Sequence, residues 1–215
     1  MTDRRPSRRQ RANGVESRKR ILDAAIEIAG ERGYEGTSIA AVSAKCGLPA
    51  SSIYWHFESK DGLLAAVIEG SFDAWLSQVD LPGEETGTPR ERVTAMARAV
   101  GKSLVNAPDF LRLGLMLAME RRQQEPRARE MFLKVREIAR IKLTDMARTV
   151  FPELDRAQTE YVVTLTVAGA DGLFVQYQIS DIELDLVELF EDYAHMVMDR
   201  AERLVETAVE EKEAK

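Results

Sequence analysis

The sequence predicts an all-α protein, and three observations support this prediction. Apolar residues recur three and four positions apart along most of the chain, which is the spacing of one face of a helix. Only 13 glycines and 7 prolines occur among 215 residues, so few positions break a helix. No useful length of sequence alternates apolar and polar residues, which is the pattern that predicts a strand.

Short helices are predicted near the N-terminus. The first apolar periodicity predicts a helix that ends at Gly33, and Thr37 is a candidate N-cap for a second helix that Gly47 ends. A third short helix follows the Gly-Leu-Pro segment. Ser59 then caps a fourth helix, with Asp61 in its first turn, where the helix dipole favours an acid. Three short helices, with a tight glycine turn between the second and the third, indicate an N-terminal helix-turn-helix domain.

The remainder of the chain predicts longer helices. Residues 80–89 are rich in Gly and Pro and are predicted to form a loop. Helices are expected over residues 60–79, 90–106, 109–122, 126–150, 155–179 and 184–213.

The charge of −6 is distributed unevenly. Residues 1–60 hold 11 Lys and Arg against 7 Asp and Glu, whereas residues 61–215 hold 19 against 29. A basic module on an acidic body is compatible with a DNA partner. Residues 1–14 are basic and lack periodicity, which predicts a disordered arm. Contact of this arm with the DNA minor groove and a solubilising role are equally open.

Several classes of protein are disfavoured. The single cysteine, Cys46, forms no internal disulfide and fits a reducing compartment. No signal peptide is expected, and the apolar run 115–119 is too short to cross a membrane. The two histidines, His56 and His195, lie far apart, and no phosphate-binding loop or metal-ligand spacing occurs. We therefore expect no cofactor, no metal and no enzymatic activity.

The segment from 37 to 68, TSIAAVSAKCGLPASSIYWHFESKDGLLAAVI, resembles the DNA-binding domain of the tetracycline-repressor (TetR) family of bacterial regulators. The resemblance rests on Thr37, on Cys-Gly at 46–47, on Ile-Tyr-Trp-His-Phe at 53–57 and on Ser-Lys at 59–60. Two departures occur. Pro49 stands where a capping serine is usual, and Ala-Ser at 50–51 stands where Lys-Gly is common.

This resemblance implies a homodimeric transcriptional regulator, expected to be a repressor that a small molecule releases from an inverted-repeat operator. The expected organisation is a basic arm (1–14), a helix-turn-helix domain (15–60) and a helical effector-binding and dimerisation domain (61–215). The expected partners are double-stranded DNA, a second copy of the chain and a small effector, in the cytoplasm of a bacterium at the nucleoid. Two alternatives stay open, which are an effector-independent DNA-binding regulator and a helical enzyme.

The candidate DNA contacts lie on the third short helix and its flanks. Small hydroxyl side chains permit close approach to base edges, and an outward tryptophan can touch a thymine methyl group. Tyr, His and Lys side chains can bond phosphate oxygens. The candidates are Thr37, Ser51, Ser52, Tyr54, Trp55, His56 and Lys60. Ile53 and Phe57 share a helix face and are predicted to hold this helix on its core.

The resemblance also places an effector pocket and a dimer interface in the acidic body. Met, Phe and Leu are dense along 110–143, which predicts an apolar pocket and an apolar or amphipathic effector. The candidate pocket residues are Phe72, Trp75, Phe110, Met116, Met119 and Phe132. The last two long helices are expected to pair across the dimer, with Ala168, Gly169, Phe174, Tyr193 and Val197 at the interface.

Overall fold

The computed structural model describes residues 8–78, 87–119 and 127–213. Within these ranges the chain forms nine α-helices and no strand, which confirms the predicted all-α class. The helices are α1 (Arg8–Gly36), α2 (Ile39–Cys46), α3 (Ala50–Phe57), α4 (Lys60–Gln78), α5 (Pro89–Asn106), α6 (Asp109–Met119), α7 (Arg127–Val150), α8 (Arg156–Ile179) and α9 (Leu186–Glu213). Among the described helices, none has the length and apolar character needed to span a membrane.

Helix α1 corrects the prediction for the N-terminal arm. Residues 8–14 are helical rather than disordered, while residues 1–7 of the predicted arm lie outside the described residues. Arginine, glutamine and alanine favour helix, and lengthening an existing helix costs far less than starting one. The helical geometry of α1 breaks at Gly33, whose φ of 69° suits glycine, so the predicted break there is confirmed.

The described residues divide into two compact units. Unit 1 contains residues 8–73, 109–119 and 127–133, and unit 2 contains residues 74–78, 87–108 and 134–213. This division differs from the predicted boundary between residues 60 and 61. The physical reason is burial, because the apolar stripe of α4 belongs to the core of unit 1. Its members are Leu63, Leu64, Val67 and Ile68, each at most 3% exposed.

The core of unit 1 is built on α1. Its predicted apolar face is buried, through Ile21, Ala24, Ala25, Ile28 and Ala29. Helix α6 packs beside α1, where Gly30 provides space for an arginine. A Cβ atom on Gly30 would lie 2.6 Å from the Arg112 guanidinium, which also donates to Asp109 at 2.7 Å. Arg112 thus binds a carboxylate of its own helix.

Helices α5, α8 and α9 form most of unit 2. Gly101 allows α5 to approach α9 closely, since a Cβ atom there would lie 3.1 Å from the Cα atom of Val187. Arg90 of α5 donates to Asp199 at 2.7 Å and to Glu202 at 2.9 Å, both on α9. These contacts hold α5 against α9.

Candidate DNA-binding site

The turn between α2 and α3 has the geometry of a helix-turn-helix. Gly47 adopts the left-handed conformation, with φ 67° and ψ 23°, and its N–H donates to the carbonyl oxygen of Ser43. The Ser43 hydroxyl donates to the carbonyl oxygen of Leu48 at 2.7 Å. Arg20 of α1 donates to the carbonyl oxygen of Cys46 at 2.6 Å. The turn is therefore fixed by glycine, by a local hydroxyl and by a cation at the C-terminus of α2.

The prediction for Thr37 is wrong in its details. Ser38 is the N-cap of α2 and accepts a hydrogen bond from the Ala41 N–H. Thr37 is fully buried, and its hydroxyl donates to the carbonyl oxygen of Gly33 at 2.7 Å. Because this bond fixes the hydroxyl inside unit 1, Thr37 supports the break in α1 and its side chain is not available to DNA.

Helix α3 has one buried and one exposed face. Ile53 is 0% exposed and Phe57 is 6% exposed, whereas Tyr54 is 52% exposed and Trp55 is 77% exposed. The predicted division of the aromatic residues between core and surface is confirmed. Pro49 precedes the helix without a side-chain capping bond, as its sequence position predicts.

The outward face of α3 lies beside the N-terminal part of α1. Ser51, Ser52, Trp55 and His56 line a groove of about 350 Å³ together with Asn13, Gly14 and Ser17. The last three residues are not among the predicted DNA contacts, since Asn13 and Gly14 fall within the predicted arm and Ser17 comes just after it. Their helical position adds small polar groups beside four of the candidate DNA contacts.

The charge of His56 is controlled by its surroundings. Partial burial lowers the pKa of its imidazole below the ordinary value, and the nearby Arg18 cation adds to this effect. The ring also packs edge-on against Trp55, with 4.6 Å between centroids. His56 is therefore biased toward its neutral form, and a phosphate group would favour the charged form instead.

Lys60 already contacts several groups in the protein. Its ammonium lies 4.5 Å from the centre of the Tyr34 ring and 3.9 Å from the Glu35 carboxylate. It also donates to the carbonyl oxygen of Glu35 at 3.4 Å. A DNA phosphate at Lys60 would compete with the exposed Glu35 carboxylate, and the phosphate contact stays a prediction.

The connection from α3 to α4 is tight and strained. Glu58 has a φ of 60° and a ψ of −37°, and among the described residues it is the only non-glycine residue with a positive φ. Its N–H donates to the carbonyl oxygen of Tyr54 at 3.0 Å. The Ser59 hydroxyl accepts from the Gly62 N–H at 3.0 Å, which confirms the predicted cap of α4.

The candidate pocket residues are distributed over both units. The ring centroid of Phe110 lies 5.1 Å from that of Phe72 and 5.5 Å from that of Phe132, so the three rings of unit 1 pack against one another. Met116 is 45% exposed and Met119 is 82% exposed, while Trp75 belongs to unit 2. A cavity in unit 1, between α1, α4 and α6, measures about 10 Å³. This volume holds about one water molecule.

The candidate interface residues mostly face their own chain. Phe174 is 1% exposed and Val197 is 9% exposed, so both are core residues of unit 2. A Cβ atom on Gly169 would lie 2.1 Å from the Tyr193 ring, whose hydroxyl donates to the carbonyl oxygen of Leu165. Four of the five predicted interface residues are thus used within the subunit, because helical spacing identifies an apolar face but not its partner. Ala168 remains exposed.

Comparison with known proteins identifies this architecture. Residues 21–67 match the family model "Bacterial regulatory proteins, tetR family". Residues 21–67 thus form a DNA-binding domain of the TetR-family type. The matched segment begins inside α1 and ends inside α4, so it spans the whole helix-turn-helix. The domain of the family therefore coincides with the DNA-binding helices described above.

Two curated relatives extend the similarity. The HTH-type transcriptional regulator BetI of Rhizobium meliloti is 25% identical over 181 residues, which cover 83% of this chain and 87% of BetI. The HTH-type transcriptional repressor KstR of Mycolicibacterium smegmatis is 31% identical over 93 residues, which cover 43% of this chain and 46% of KstR. Both relatives are named as helix-turn-helix transcriptional proteins, one as a regulator and one as a repressor.

Two solved structures share the fold. FadR from Bacillus subtilis, in complex with stearoyl-CoA, aligns with a TM-score of 0.68 at 16% identity, over 83% of this chain and 96% of FadR. A putative transcriptional regulator from Saccharomonospora viridis, in complex with choline, aligns with a TM-score of 0.67 at 19% identity, over 86% and 96% of the two chains. At these identities the similarity establishes the fold of the chain and nothing beyond it.

Proposed function

We propose that this TetR-family regulator is a homodimeric repressor, acting in the bacterial cytoplasm, that binds an inverted-repeat operator through α3 and leaves it when a small apolar or amphipathic molecule binds. The observation that carries the DNA-binding part is the outward face of α3. Ser51, Ser52 and Trp55 lie on this face, while Ile53 and Phe57 anchor the helix from behind. Residues on the outward face of such a helix reach base edges in the major groove.

Selection of bound fragments from genomic DNA tests this proposal directly. An inverted repeat is expected, with half-sites about 34–36 Å apart. Ser51→Ala, Ser52→Ala and Trp55→Ala should each alter the preferred bases, at about 1–3 kcal/mol for each lost base contact. A selection that returns the same motif for the unaltered protein and all three variants would contradict the assignment of α3 as the reading helix.

Dimerisation is supported by an exposed face of α8. Tyr161, Ala168, Gly172, Val175 and Ile179 are exposed and recur at helical spacing. The small residues in this row permit close approach of a second helix, and a second copy would cover the apolar ones. A two-fold dimer also presents two copies of α3 to an inverted repeat. Sedimentation of the unaltered protein as a monomer at micromolar concentration would refute this part of the proposal.

Release by an effector is supported by the fold and by the acidic, helical body. Structures of two proteins with this fold contain stearoyl-CoA and choline, respectively, so the fold accommodates ligands of different polarity. We favour an apolar or amphipathic ligand for this chain because Leu, Met and Phe dominate α6. An effector must bind the free and DNA-bound states with different affinities, because a ligand with equal affinity for both states does not shift the equilibrium between them.

One observation favours the effector-independent alternative. Phe72, Phe110 and Phe132 fill one another's space, and the cavity of about 10 Å³ in unit 1 is far smaller than the roughly 300–1,000 Å³ of ligand pockets. The test uses stearoyl-CoA, choline and a library of apolar compounds as probes. Binding is followed by thermal stabilisation and by loss of a selected DNA duplex. Compounds that stabilise the protein without changing its DNA affinity would support the alternative.

A further inference from the structure

Asp61 joins three segments of unit 1. It lies in the first turn of α4, and its carboxylate accepts a hydrogen bond from the Arg127 N–H at 2.9 Å. It also accepts a longer bond from the Ala128 N–H at 3.5 Å and a bond from the Tyr34 hydroxyl at 3.3 Å. Arg127 and Ala128 are the first two residues of α7. One carboxylate therefore contacts the start of α4, the start of α7 and the segment after the break in α1.

This arrangement makes the first turn of α7 dependent on another helix. The first N–H groups of a helix lack partners within that helix, and an anion near them is favoured by the helix dipole. Here Asp61 of α4 accepts from two of these N–H groups, in addition to the acidic Glu130 in the first turn of α7 itself. A change in the position of the α4 start must therefore either carry the first turn of α7 with it or break these bonds.

The same carboxylate is next to the candidate DNA contacts. Lys60 directly precedes Asp61, and its ammonium packs on the ring of Tyr34, whose hydroxyl donates to Asp61. Helix α7 continues from unit 1 at Leu133 into unit 2 at Lys134. Lys60, a candidate phosphate contact, and α7, the helix that extends into the second unit, thus both lie next to Asp61.

We propose that Asp61 is a positioning residue that couples the first turn of α7 to the DNA-binding helices. DNA that contacts Lys60 fixes the start of α4, and Asp61 then holds the first turn of α7 in place. By the reciprocity of linked equilibria, displacement of that turn weakens DNA binding. This inference rests on the proposed phosphate contact of Lys60, and it requires no knowledge of the effector.

Amide hydrogen exchange measures this coupling in the full-length protein. The probe is a duplex of about 30 base pairs recovered by selection from genomic DNA, and the readout is exchange at the Arg127 and Ala128 amides. In the unaltered protein, DNA should slow this exchange on the order of tenfold, although neither residue is a candidate DNA contact. Asp61→Ala should speed exchange on the order of tenfold without DNA and should abolish the effect of DNA. Exchange in the buried part of α1, from Ile21 to Ala29, should stay unchanged.

Two further variants separate coupling from general destabilisation. Tyr34→Phe removes one bond to Asp61 but keeps the ring that Lys60 contacts, so the response of α7 to DNA should persist. Asp61→Asn keeps an oxygen acceptor without the charge and should give an intermediate response. If Asp61→Ala does not fold, the Asp61→Asn variant and the DNA response of the unaltered protein decide the question.

The outcomes that overturn the coupling are distinct from failure of the proposed function. The coupling is refuted if DNA binds the unaltered protein but leaves exchange at Arg127 and Ala128 unchanged. It is also refuted if the response to DNA survives in Asp61→Ala. A protein that binds duplex normally after Lys60→Ala would instead refute the phosphate contact on which the inference rests.

Discussion

The substitutions Gly169→Ala and Gly172→Ala should have opposite effects on the stability of the subunit, although the two glycines lie one turn apart on α8. A Cβ atom on Gly169 would lie 2.1 Å from the Tyr193 ring of α9, whereas no atom lies within 4 Å of a Cβ atom on Gly172. Each change adds one methyl group to a helix interior. The pair therefore distinguishes packing inside the subunit from packing against a second subunit.

The magnitudes follow from these distances. Carbon atoms in contact are about 3.5–4.0 Å apart, so in Gly169→Ala the Tyr193 ring must move by roughly 1.5 Å. The movement costs about 1–3 kcal/mol in overpacking and about 1 kcal/mol for the bond from Tyr193 to the Leu165 carbonyl. Replacing a helical glycine by alanine increases the unfolding free energy by about 1 kcal/mol through helix propensity. The net loss is about 1–3 kcal/mol for Gly169→Ala, against a gain of about 1 kcal/mol for Gly172→Ala in an isolated subunit.

Thermal unfolding at two protein concentrations, combined with sedimentation, tests both values. At about 2–4 °C per kcal/mol, Gly169→Ala should lower Tm by about 2–12 °C. Gly172→Ala should weaken the dimer, because the added methyl group lies on the exposed face of α8. Because a weaker dimer adds less association free energy at both concentrations, the Tm of this variant should depend less on protein concentration than the Tm of the unaltered protein.

Two results would refute this reasoning. A Gly169→Ala variant with unchanged Tm would show that Tyr193 does not occupy the space above Gly169. A Gly172→Ala variant that gains stability and sediments as the unaltered protein does would show that this face of α8 is not an interface.

Three further predictions concern the DNA-binding unit. In filter-binding measurements, Lys60→Ala should weaken binding to operator and random duplexes alike and lower the salt dependence of binding by about one counterion. The control Lys102→Ala removes an exposed lysine of unit 2 and should leave both the affinity and its salt dependence unchanged. The pKa of His56 is lowered in the folded protein, so the unfolded chain binds more protons as the pH falls. Urea unfolding should therefore show that the unfolding free energy decreases as the pH drops below about 6.5. In His56→Gln this decrease should be smaller. Thr37→Val should lower the unfolding free energy by about 1–3 kcal/mol, since the buried carbonyl of Gly33 loses its partner. The folded Thr37→Val variant should still bind DNA normally, and a specific loss of operator affinity would restore Thr37 as a DNA contact.

Local structure was predictable from the sequence because its causes are local. The glycine turn at Gly47, the cap at Ser59 and the two faces of α3 each depend on residues within a few positions, and all three are confirmed. Between Glu16 and Met119, the bounds of the described helices also lie close to the predicted ranges. Capping by Ser38 in place of Thr37 depended on a competing bond to Gly33, which no spacing rule specifies.

Long-range partners were not predictable in the same way. Apolar periodicity indicates that Gly169 and Val197 face something apolar, but it does not distinguish α9 of the same subunit from α8 of another. The contact between Asp61 and the first turn of α7 joins residues 66 positions apart. The N-terminal part of α1 was missed for the opposite reason, since a polar helix without an apolar stripe resembles a disordered segment.

The strained connection at Glu58 has a consequence for engineering the regulator. A positive φ costs a non-glycine residue about 1–3 kcal/mol, and glycine adopts such angles readily. The side chain of Glu58 is exposed and carries a negative charge directly after the reading helix. One substitution, Glu58→Gly, is therefore expected both to relieve backbone strain and to remove a negative charge beside the proposed DNA-contacting face of α3. We expect this variant to be more stable and to bind DNA more tightly than the unaltered protein, while every residue on the outward face of α3 is left as it is.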